Sequence, residues 1–466
     1  MHIRLINQNI HLSLLLLAVV ETIGFFCATL LAALARFDWS YAKVQYEIGP
    51  VIFIGAWFSA ITLISAIAMG LYQVRQRARL RGVFIRVIAS VLISTTSLLT
   101  VFYFFTGLRL GRGVIAWNVF FALAISVAIR MLFHSLMDRA LFKRRVLIVG
   151  TGKQASCFTR LRRRTDQRGY RVIGFVRVES EGSSQLPPAR VLGDVSNLVA
   201  LVKANAIDEI VIAMDERRET FPTKALLECR LSGVQITTLV SFLERETYRV
   251  RVDLLTPSWI VFADGFRHSF LKNAIDRVFD IALSLLVLTL ALPVIVLTFL
   301  AIKLEDGLRA PVFYSQLRVG LDNRPFRILK FRSMRVDAEA NGAVWASQND
   351  PRVTRVGAWL RSLRIDELPQ VFNVLAGHMR FTGPRPERPE FVSQLSAAIP
   401  YYRERHSVKP GITGWAQLCY SYGASAEDAM EKLQYDLYYV KNSNLLFDIG
   451  IVLQTLEVIL WRKGSR

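Results

Sequence analysis

Residues 281–302 read Ile-Ala-Leu-Ser-Leu-Leu-Val-Leu-Thr-Leu-Ala-Leu-Pro-Val-Ile-Val-Leu-Thr-Phe-Leu-Ala-Ile, an uncharged run between Asp280 and Lys303. A hydrocarbon core about 30 Å thick needs about 20 such residues, so the run is long enough to cross a membrane once. Two features pull against a plain crossing. Both flanks are basic, with Lys272 and Arg277 before the run and Lys303 and Arg309 after it, so the positive-inside rule gives no change of side. Pro293 lies near the middle, where it removes a backbone hydrogen bond and favours a break. A membrane helix over about 273–304 that enters and leaves the same leaflet satisfies both observations. A kinked full span is the competing reading.

Further toward the N-terminus, apolar stretches at about 12–35, 50–72, 84–106 and 114–136 are each near spanning length. They predict a four-helix transmembrane bundle over 1–140. The first is too long for a signal-peptide core, and three more spans follow it, so it reads as a signal anchor. Arg75, Arg77, Arg79, Arg81 and Arg86 follow the second stretch, and Arg139, Lys143, Arg144 and Arg145 follow the fourth. The loop between the first two holds only Arg36 and Lys43, so the heavier loops, and all that follows residue 140, are expected in the cytoplasm. Glu21, inside the first stretch, is a weak pointer to function.

Composition agrees with membrane segments joined to soluble domains. Of 466 residues, 52% are hydrophobic and 20% charged, which excludes a disordered chain and argues against one simple soluble domain. The net charge of +21 calls for anionic partners. Part of it is topology signal, and the remainder suits membrane lipid and phosphorylated substrates, with no nucleic acid required. Cys27, Cys157, Cys229 and Cys419 are scattered and form no CxxC pair, so a disulfide framework or zinc site is not expected.

Residues 145–150 form a buried strand pattern that runs into Gly150-Thr-Gly152-Lys-Gln-Ala155 and then a helical stretch. Strand, GxGxxA, helix opens a dinucleotide-binding unit. Strand-like runs at 171–177, 209–214 and 235–240 alternate with helical ones at 195–205 and 221–231. A Rossmann-like α/β domain over 144–245 is expected, followed by a linker over 246–269. It either binds a nucleotide at the helix N-terminus or binds nothing and serves assembly, including homodimer contacts. The acid expected about 20 residues on is missing, since the second strand ends in Val176-Arg177.

The C-terminal segment, 270–466, is rich in arginine between Arg318 and Arg388, which suits phosphate oxygens or an anionic lipid face. Val356, Trp359, Leu360 and Leu363 recur at helical spacing, and Asp366-Glu367-Leu-Pro369 follows. Asp366 is placed as the N-cap of a helix that Gly377 stops. An ionised carboxylate there can attack phosphorus, while Glu367 points about 100° away and is free for a second role such as a Mg²⁺ ligand. Ordinary helix capping is the competing explanation.

Nine ordered motifs carry a resemblance. They are Pro311-Val-Phe-Tyr-Ser-Gln316, Arg318-Val-Gly-Leu321, Lys330-Phe-Arg-Ser-Met334, Asp337-Ala-Glu339 and Asn349-Asp-Pro-Arg352, then Asp366-Glu-Leu-Pro-Gln370, Gly383-Pro-Arg-Pro386, Lys409-Pro-Gly-Ile-Thr-Gly-Trp-Ala-Gln417 and Tyr435-Asp-Leu-Tyr-Tyr439. Over about 270–464 the chain resembles the bacterial sugar transferases, the monotopic polyprenyl-phosphate phosphoglycosyl transferases. The four spans and Rossmann-like domain resemble the family's long form, and Tyr422-Gly-Ala-Ser425 resembles exopolysaccharide-associated members. The resemblance implies a multidomain membrane protein of the bacterial inner membrane, with a mainly α monotopic catalytic domain on the cytoplasmic side. Its implied reaction is transfer of a sugar 1-phosphate from a UDP-sugar to undecaprenyl phosphate, with release of UMP. Asp366 matches the nucleophile, Glu367 the metal-associated carboxylate with Mg²⁺ as its ion, and Arg361 a phosphate-handling arginine. Lys330, Arg332 and Arg385 match phosphate or uridine contacts, and Pro293 the break of a re-entrant helix.

One departure is visible. Relatives usually carry Gly-Asp-Met-Ser where this chain has Gly377-His378-Met379-Arg380, which reads as a more basic environment. A membrane-anchored dehydratase or epimerase would need Tyr-x-x-x-Lys, and no tyrosine here has a lysine four residues later. A non-catalytic scaffold of polysaccharide assembly is the other alternative. The motifs do not name the sugar.

Overall fold

The computed structural model describes residues 2–5, 8–48, 50–69, 71–72, 80–104, 111–137, 143–160, 169–178, 187, 190–215, 221–255, 269–335, 350–420, 423 and 425–460. Arg75, Arg77, Arg79, Arg139, Asp337, Glu339, Asn349 and Tyr422 of the readings above lie outside them. The chain forms two compact units, Met1–Thr247 and Tyr248–Arg466.

In the first unit a short antiparallel hairpin, β1 (His2–Leu5) and β2 (Gln8–His11), leads into α1 (Leu12–Arg36), α2 (Tyr41–Ile48), α3 (Val51–Ala68), α4 (Leu80–Phe104) and α5 (Arg112–Met137). Helices α1, α3, α4 and α5 each contain a segment long and apolar enough to cross a membrane. Small residues such as Ala28, Ala32 and Ala122 share their core with Phe25, Ile54 and Phe58, which lets the backbones approach closely. Glu21 is not a lone carboxylate. It accepts hydrogen bonds from Tyr72 Oη (2.6 Å), Ser126 Oγ (2.9 Å) and Arg130 Nη2 (2.7 Å), and so ties α1 to α5. Arg86 is buried within α4.

The rest of this unit is a five-stranded parallel sheet in the order β5-β4-β3-β6-β7. Its elements are β3 (Arg144–Val149), α6 (Lys153–Arg160), β4 (Tyr170–Arg177), β5 (Val191–Asp194), α7 (Leu198–Ala204), β6 (Glu209–Ile212), α8 (Thr223–Leu231), β7 (Gln235–Thr238) and α9 (Leu239–Thr247). Strand β3 is central and its last four residues are buried on both faces, as a doubly wound parallel sheet requires. Sequence periodicity misses β5, a four-residue strand with alternating half-exposed positions.

The segment 246–269 is not a linker throughout. Val250 and Val252 are buried in the core of the second unit, and the Val250 N–H donates to Gln434 O (2.9 Å). The second unit continues with α10 (Phe270–Asp306), β8 (Phe313–Val319), β9 (Pro325–Phe331), α11 (Arg355–Ser362), α12 (Gln370–Leu375), β10 (Arg380–Thr382), α13 (Pro389–Ala398), β11 (Gly411–Thr413), α14 (Trp415–Cys419), α15 (Ala426–Asn442) and α16 (Leu445–Leu460). It is mainly helical, with two small sheets, antiparallel β8–β9 and parallel β10–β11. The Tyr435–Tyr439 motif lies on α15 and is buried along its whole length.

Helix α10 runs through Pro293 without interruption for 37 residues, about 55 Å at 1.5 Å per residue. The break expected at Pro293 is therefore absent from the helix itself. Proline removes one backbone bond, and the helix-forming Leu290-Ala-Leu292 before it carries the ladder across. Both polar ends of α10 are tied to the same unit. At the front, Arg277 donates to Val374 O (2.5 Å) and Leu375 O (2.6 Å), the last carbonyls of α12. At the rear, Glu305 accepts from the Arg355 (2.8 Å) and Val356 (3.0 Å) N–H groups that open α11. Between them, Leu283, Val287 and Ile295 pack inward, while Leu290, Val296 and Leu300 stay exposed.

Arg380 binds this arrangement together. Its guanidinium pairs with Asp276 (2.9 Å) and Asp280 (3.2 Å) on α10 and with Asp448 (2.8 Å) on α16. The Gly377–Arg380 departure therefore does not make the region more basic, because three buried carboxylates surround one arginine; His378 is an exposed residue beyond the end of α12. Replacing Arg380 by Met leaves those carboxylates buried without their cation, and a loss of about 3–5 kcal/mol is expected. Thermal unfolding in detergent checks this against a substitution of exposed Arg403; an unmoved Tm would mean that the carboxylates are hydrated in the folded protein.

Candidate active site

The chain turns sharply between α11 and α12. Arg364 has φ +56°, in the left-handed region that non-glycine residues rarely occupy. The following Ile365–Glu367 forms one 3₁₀ turn, and α12 begins only at Gln370, with Pro369 as its N-cap. Asp366 is thus not the N-cap expected from sequence. It lies one turn earlier, because the Leu368 N–H closes on Ile365 O (3.1 Å) and tightens the entry before the α-helix starts. Gly377 does stop the helix, at φ +83°, with the His378 N–H donating to Asn373 O and the Gly377 N–H to Val374 O.

Adjacent residues of a 3₁₀ turn point about 120° apart, and the two carboxylates meet different surroundings. Glu367 Oε1 accepts from Arg385 Nη2 (2.8 Å) and Lys330 Nζ (3.4 Å), and Arg364 stands 3.9 Å from Oε2. Burial works to raise the Glu367 pKa, but Arg385 and Lys330 outweigh it and hold the carboxyl well below the usual range. Among the described residues, no group donates a hydrogen bond to the Asp366 carboxylate. Burial, with the neighbouring Glu367 charge, raises its pKa, while Lys330, Arg385 and Arg361 limit the rise. Burial likewise lowers the Lys330 pKa against the pull of Glu367.

Tertiary contacts set Lys330 and Arg385 in place. Lys330 lies near the end of β9. Asn373 of α12 is buried and clamps that strand from the side, accepting from the Leu329 N–H (2.9 Å) and donating to Arg327 O (2.7 Å). Arg385 follows β10, where the Gly383 backbone lies against Lys409, Gly411 and Gly414 too closely for any Cβ. Its carbonyl accepts from buried Arg405 (3.0 Å), which pairs with buried Asp436 (2.7 Å). Arg318 braces the same loop by donating to Pro386 O (3.1 Å), and burial pushes its pKa down to about 10.

Of the candidate residues, the structure gathers Asp366, Glu367, Lys330 and Arg385. Arg361, on α11, contributes to the field at Asp366. Arg332 is not brought to them. Strand β9 ends at Phe331, and Arg332 turns away to lie buried 3.7 Å from Asp306 at the end of α10. Sequence reasoning missed Asn373 and Arg405. Asn373 carried a signal, a lone amide in the apolar run Val371-Phe-Asn-Val-Leu375, and Asp436 stood inside the Tyr435–Tyr439 motif; Arg405 carried none. No group of three or more His, Cys, Asp or Glu side chains that could hold a metal converges among the described residues. A Mg²⁺ site here would rest on Glu367 Oε2 and substrate oxygens, a sparse set of the kind Mg²⁺ accepts.

The Gly150–Ala155 turn opens α6 at the switch point between β3 and β6, where doubly wound sheets bind ligands. Here a carboxylate of the chain itself fills the position. Asp215, just after β6, accepts from the Lys153 (2.7 Å) and Gln154 (2.8 Å) N–H groups, and a Cβ at Gly152 would collide with it.

Residues 271–462 match the family model for bacterial sugar transferases. The chain is 43% identical over 241 residues to a UDP-N-acetylgalactosamine-undecaprenyl-phosphate N-acetylgalactosaminephosphotransferase of Aeromonas hydrophila, covering 52% of this chain and 56% of that protein. It is 34% identical over 331 residues to an undecaprenyl-phosphate glucose phosphotransferase of Komagataeibacter xylinus, covering 69% and 60%. It is 35% identical over 295 residues to a UDP-glucose:undecaprenyl-phosphate glucose-1-phosphate transferase of Escherichia coli K12, covering 62% and 61%.

The chain belongs to the bacterial sugar transferase family.

It spans between 56% and 61% of the length of these three relatives. Within this chain, residues 67–239 match a model described as a CoA-binding domain, the region in which Asp215 occupies the helix N-terminus. Two outcomes follow for this family member. Asn373→Ala leaves the Leu329 N–H and Arg327 carbonyl unpaired, with an expected cost of about 1–3 kcal/mol. Denaturant unfolding and UMP release measured side by side check whether the site loosens with it; full activity in the destabilised protein would separate the clamp from the site. Titration of the full chain with coenzyme A or NAD is expected to leave Tm unmoved, and a saturable rise would mean that the ligand displaces Asp215.

Proposed function

We propose that this transferase moves a sugar 1-phosphate from a UDP-sugar to undecaprenyl phosphate, the first step of a polysaccharide repeat unit. The carrying observation is the contrast within one turn. Glu367 is engaged by cations, while Asp366, beside it, has no donor among the described residues and faces the same cations. An uncommitted carboxylate in a cationic field is a nucleophile for phosphorus. An Asp366 carboxylate oxygen attacks the β-phosphorus of the UDP-sugar. The bond from that phosphorus to the bridging oxygen breaks, and UMP leaves with the electron pair. An oxygen of undecaprenyl phosphate then attacks the phosphorus held on Asp366, and the aspartyl bond breaks to restore the carboxylate. Lys330 and Arg385 fix Glu367 and add positive charge where the leaving phosphate gathers negative charge; Arg361 contributes from α11. Mg²⁺ would be held by Glu367 with substrate oxygens and would neutralise the diphosphate.

The membrane arrangement proposed with this reaction is monotopic for the second unit. Both polar ends of α10 bind the same folded layer, which supports entry and exit at one face with the exposed apolar side in lipid. The four apolar segments of the first unit are read as four spans of the bacterial inner membrane, with the catalytic unit cytoplasmic. The names of the relatives divide between N-acetylgalactosamine and glucose, so the donor is read from a panel.

With Mg²⁺, undecaprenyl phosphate and a set of UDP-sugars, UMP release is expected with one donor and is expected to vanish in Asp366→Asn while membrane insertion persists. Unchanged release would remove Asp366 as nucleophile, and no release with any donor would favour a non-catalytic scaffold. The reaction needs ionised Asp366, whose pKa is raised by burial. Its rate therefore falls as pH drops, and the acid limb of a pH–rate profile lies above the usual carboxylate range. A limb at or below that range would assign the limiting ionisation elsewhere.

A further inference from the structure

The chain leaves the Rossmann-like domain at Thr247, the last residue of α9, and the residues that follow are built into the second unit. Tyr248 O accepts from Trp415 Nε1 (3.0 Å), and the Tyr248 ring stands edge-on to Tyr438 at 5.9 Å. Arg249 Nη1 pairs with Glu431 Oε2 (2.6 Å), and the Val250 N–H donates to Gln434 O (2.9 Å). Val250 and Val252 are buried in one core with Leu433 and Leu437. Three consecutive residues, Tyr248 to Val250, therefore grip one helix, α15. Glu431 and Tyr438, seven residues apart, lie on one face of that helix, and Asp436 lies about 140° round from Glu431. Buried Asp436 pairs with Arg405 (2.7 Å), which donates to the Arg385 carbonyl (3.0 Å). Helix α15 is thus held on one side by residues 248–252 and on another supports the arginine that engages Glu367. The gripping segment lies outside 271–462, the span that matches the sugar transferase model.

We propose that residues 248–252 form a strap that sets Arg385 through α15, with Arg249 and Glu431 as positioning residues for the transfer reaction. The role rests on the proposed phosphosugar transfer, in which Arg385 meets the negative charge that builds on the departing UMP. Such a cation acts only where it is placed, and a displacement of about 1 Å is enough to slow chemistry. Burial of Val250 and Val252 holds the strap in the core, and the Arg249–Glu431 pair, with side chains 17% and 38% exposed, fixes its place along α15. Its root is firm as well, since Arg245 and Glu246 at the end of α9 are buried in an ion cluster with Arg144 and Glu209 of the parallel sheet.

Rapid-quench measurement of the single-turnover UMP burst in the full-length protein, with UDP-sugar and Mg²⁺ alone, tests the strap. Arg249→Glu and Glu431→Arg each bring like charges together and are expected to slow the burst about fivefold, the scale of one partly exposed ion pair. The double variant restores the pair with its signs exchanged and should return the rate to near the wild-type value, as should the conservative Arg249→Lys. Burst amplitude and KM for undecaprenyl phosphate should stay at wild-type values in every variant, because a displaced Arg385 slows the step while a folding defect removes active molecules. A rate unchanged in both single variants, or slowed in the double variant as in the singles, overturns the strap and leaves the transfer reaction standing. A smaller amplitude at an unchanged rate would make the contact a matter of stability alone and overturns it too. No burst with any donor in the wild type defeats the transfer reaction, and the strap's role with it.

Discussion

Arg380 reaches Asp276, Asp280 and Asp448, and through these three contacts an apolar helix becomes part of the folded second unit. Burying charge in this way is tolerable only because each carboxylate finds the guanidinium or a further donor, as Asp448 does from Tyr439 Oη (2.8 Å) and Asp280 from the Phe381 N–H (3.1 Å). Once the front of α10 is fixed, Arg277 caps the end of α12 and Glu305 caps the start of α11. The two helices that flank Asp366 and Glu367 are therefore held from opposite ends of one long apolar helix.

Within that frame the two carboxylates are made unequal. Neither chemistry nor position in the chain distinguishes them; their neighbours do. Glu367 meets Arg385 and Lys330 and is held ionised, while Asp366 is desolvated and has no donor among the described residues. Such a division suits a site in which one carboxylate must stay charged and the other must react. The cations are supported in turn, Lys330 by the Asn373 clamp and Arg385 by Arg405 and the close glycine backbones.

The Rossmann-like domain shows the opposite treatment of a familiar site. Its GxGxxA turn, helix N-terminus and strand switch point are all present, and Asp215 satisfies the two N–H groups that a ligand's phosphate would take. A motif reports the shape of the backbone; whether that shape is free depends on a residue some 60 positions away.

Sequence by itself determined the elements whose cause is local. Apolar runs of spanning length, the strand–GxGxxA–helix order and the Gly377 stop each follow from spacing and residue type, and the structure has all three. The ordered motifs also marked the sugar transferase segment. What only the tertiary structure decided was every matter of pairing at long range. Arg380 looked like added basicity until three acids 68 to 104 residues away closed on it. Arg332 looked equivalent to Lys330 until β9 ended between them, and Pro293 looked like a break until α10 continued through it. Periodicity and motif carry backbone preference, which acts over a few residues. The partner of a charge, and hence its role, is set by which elements pack together, and no local spacing records that.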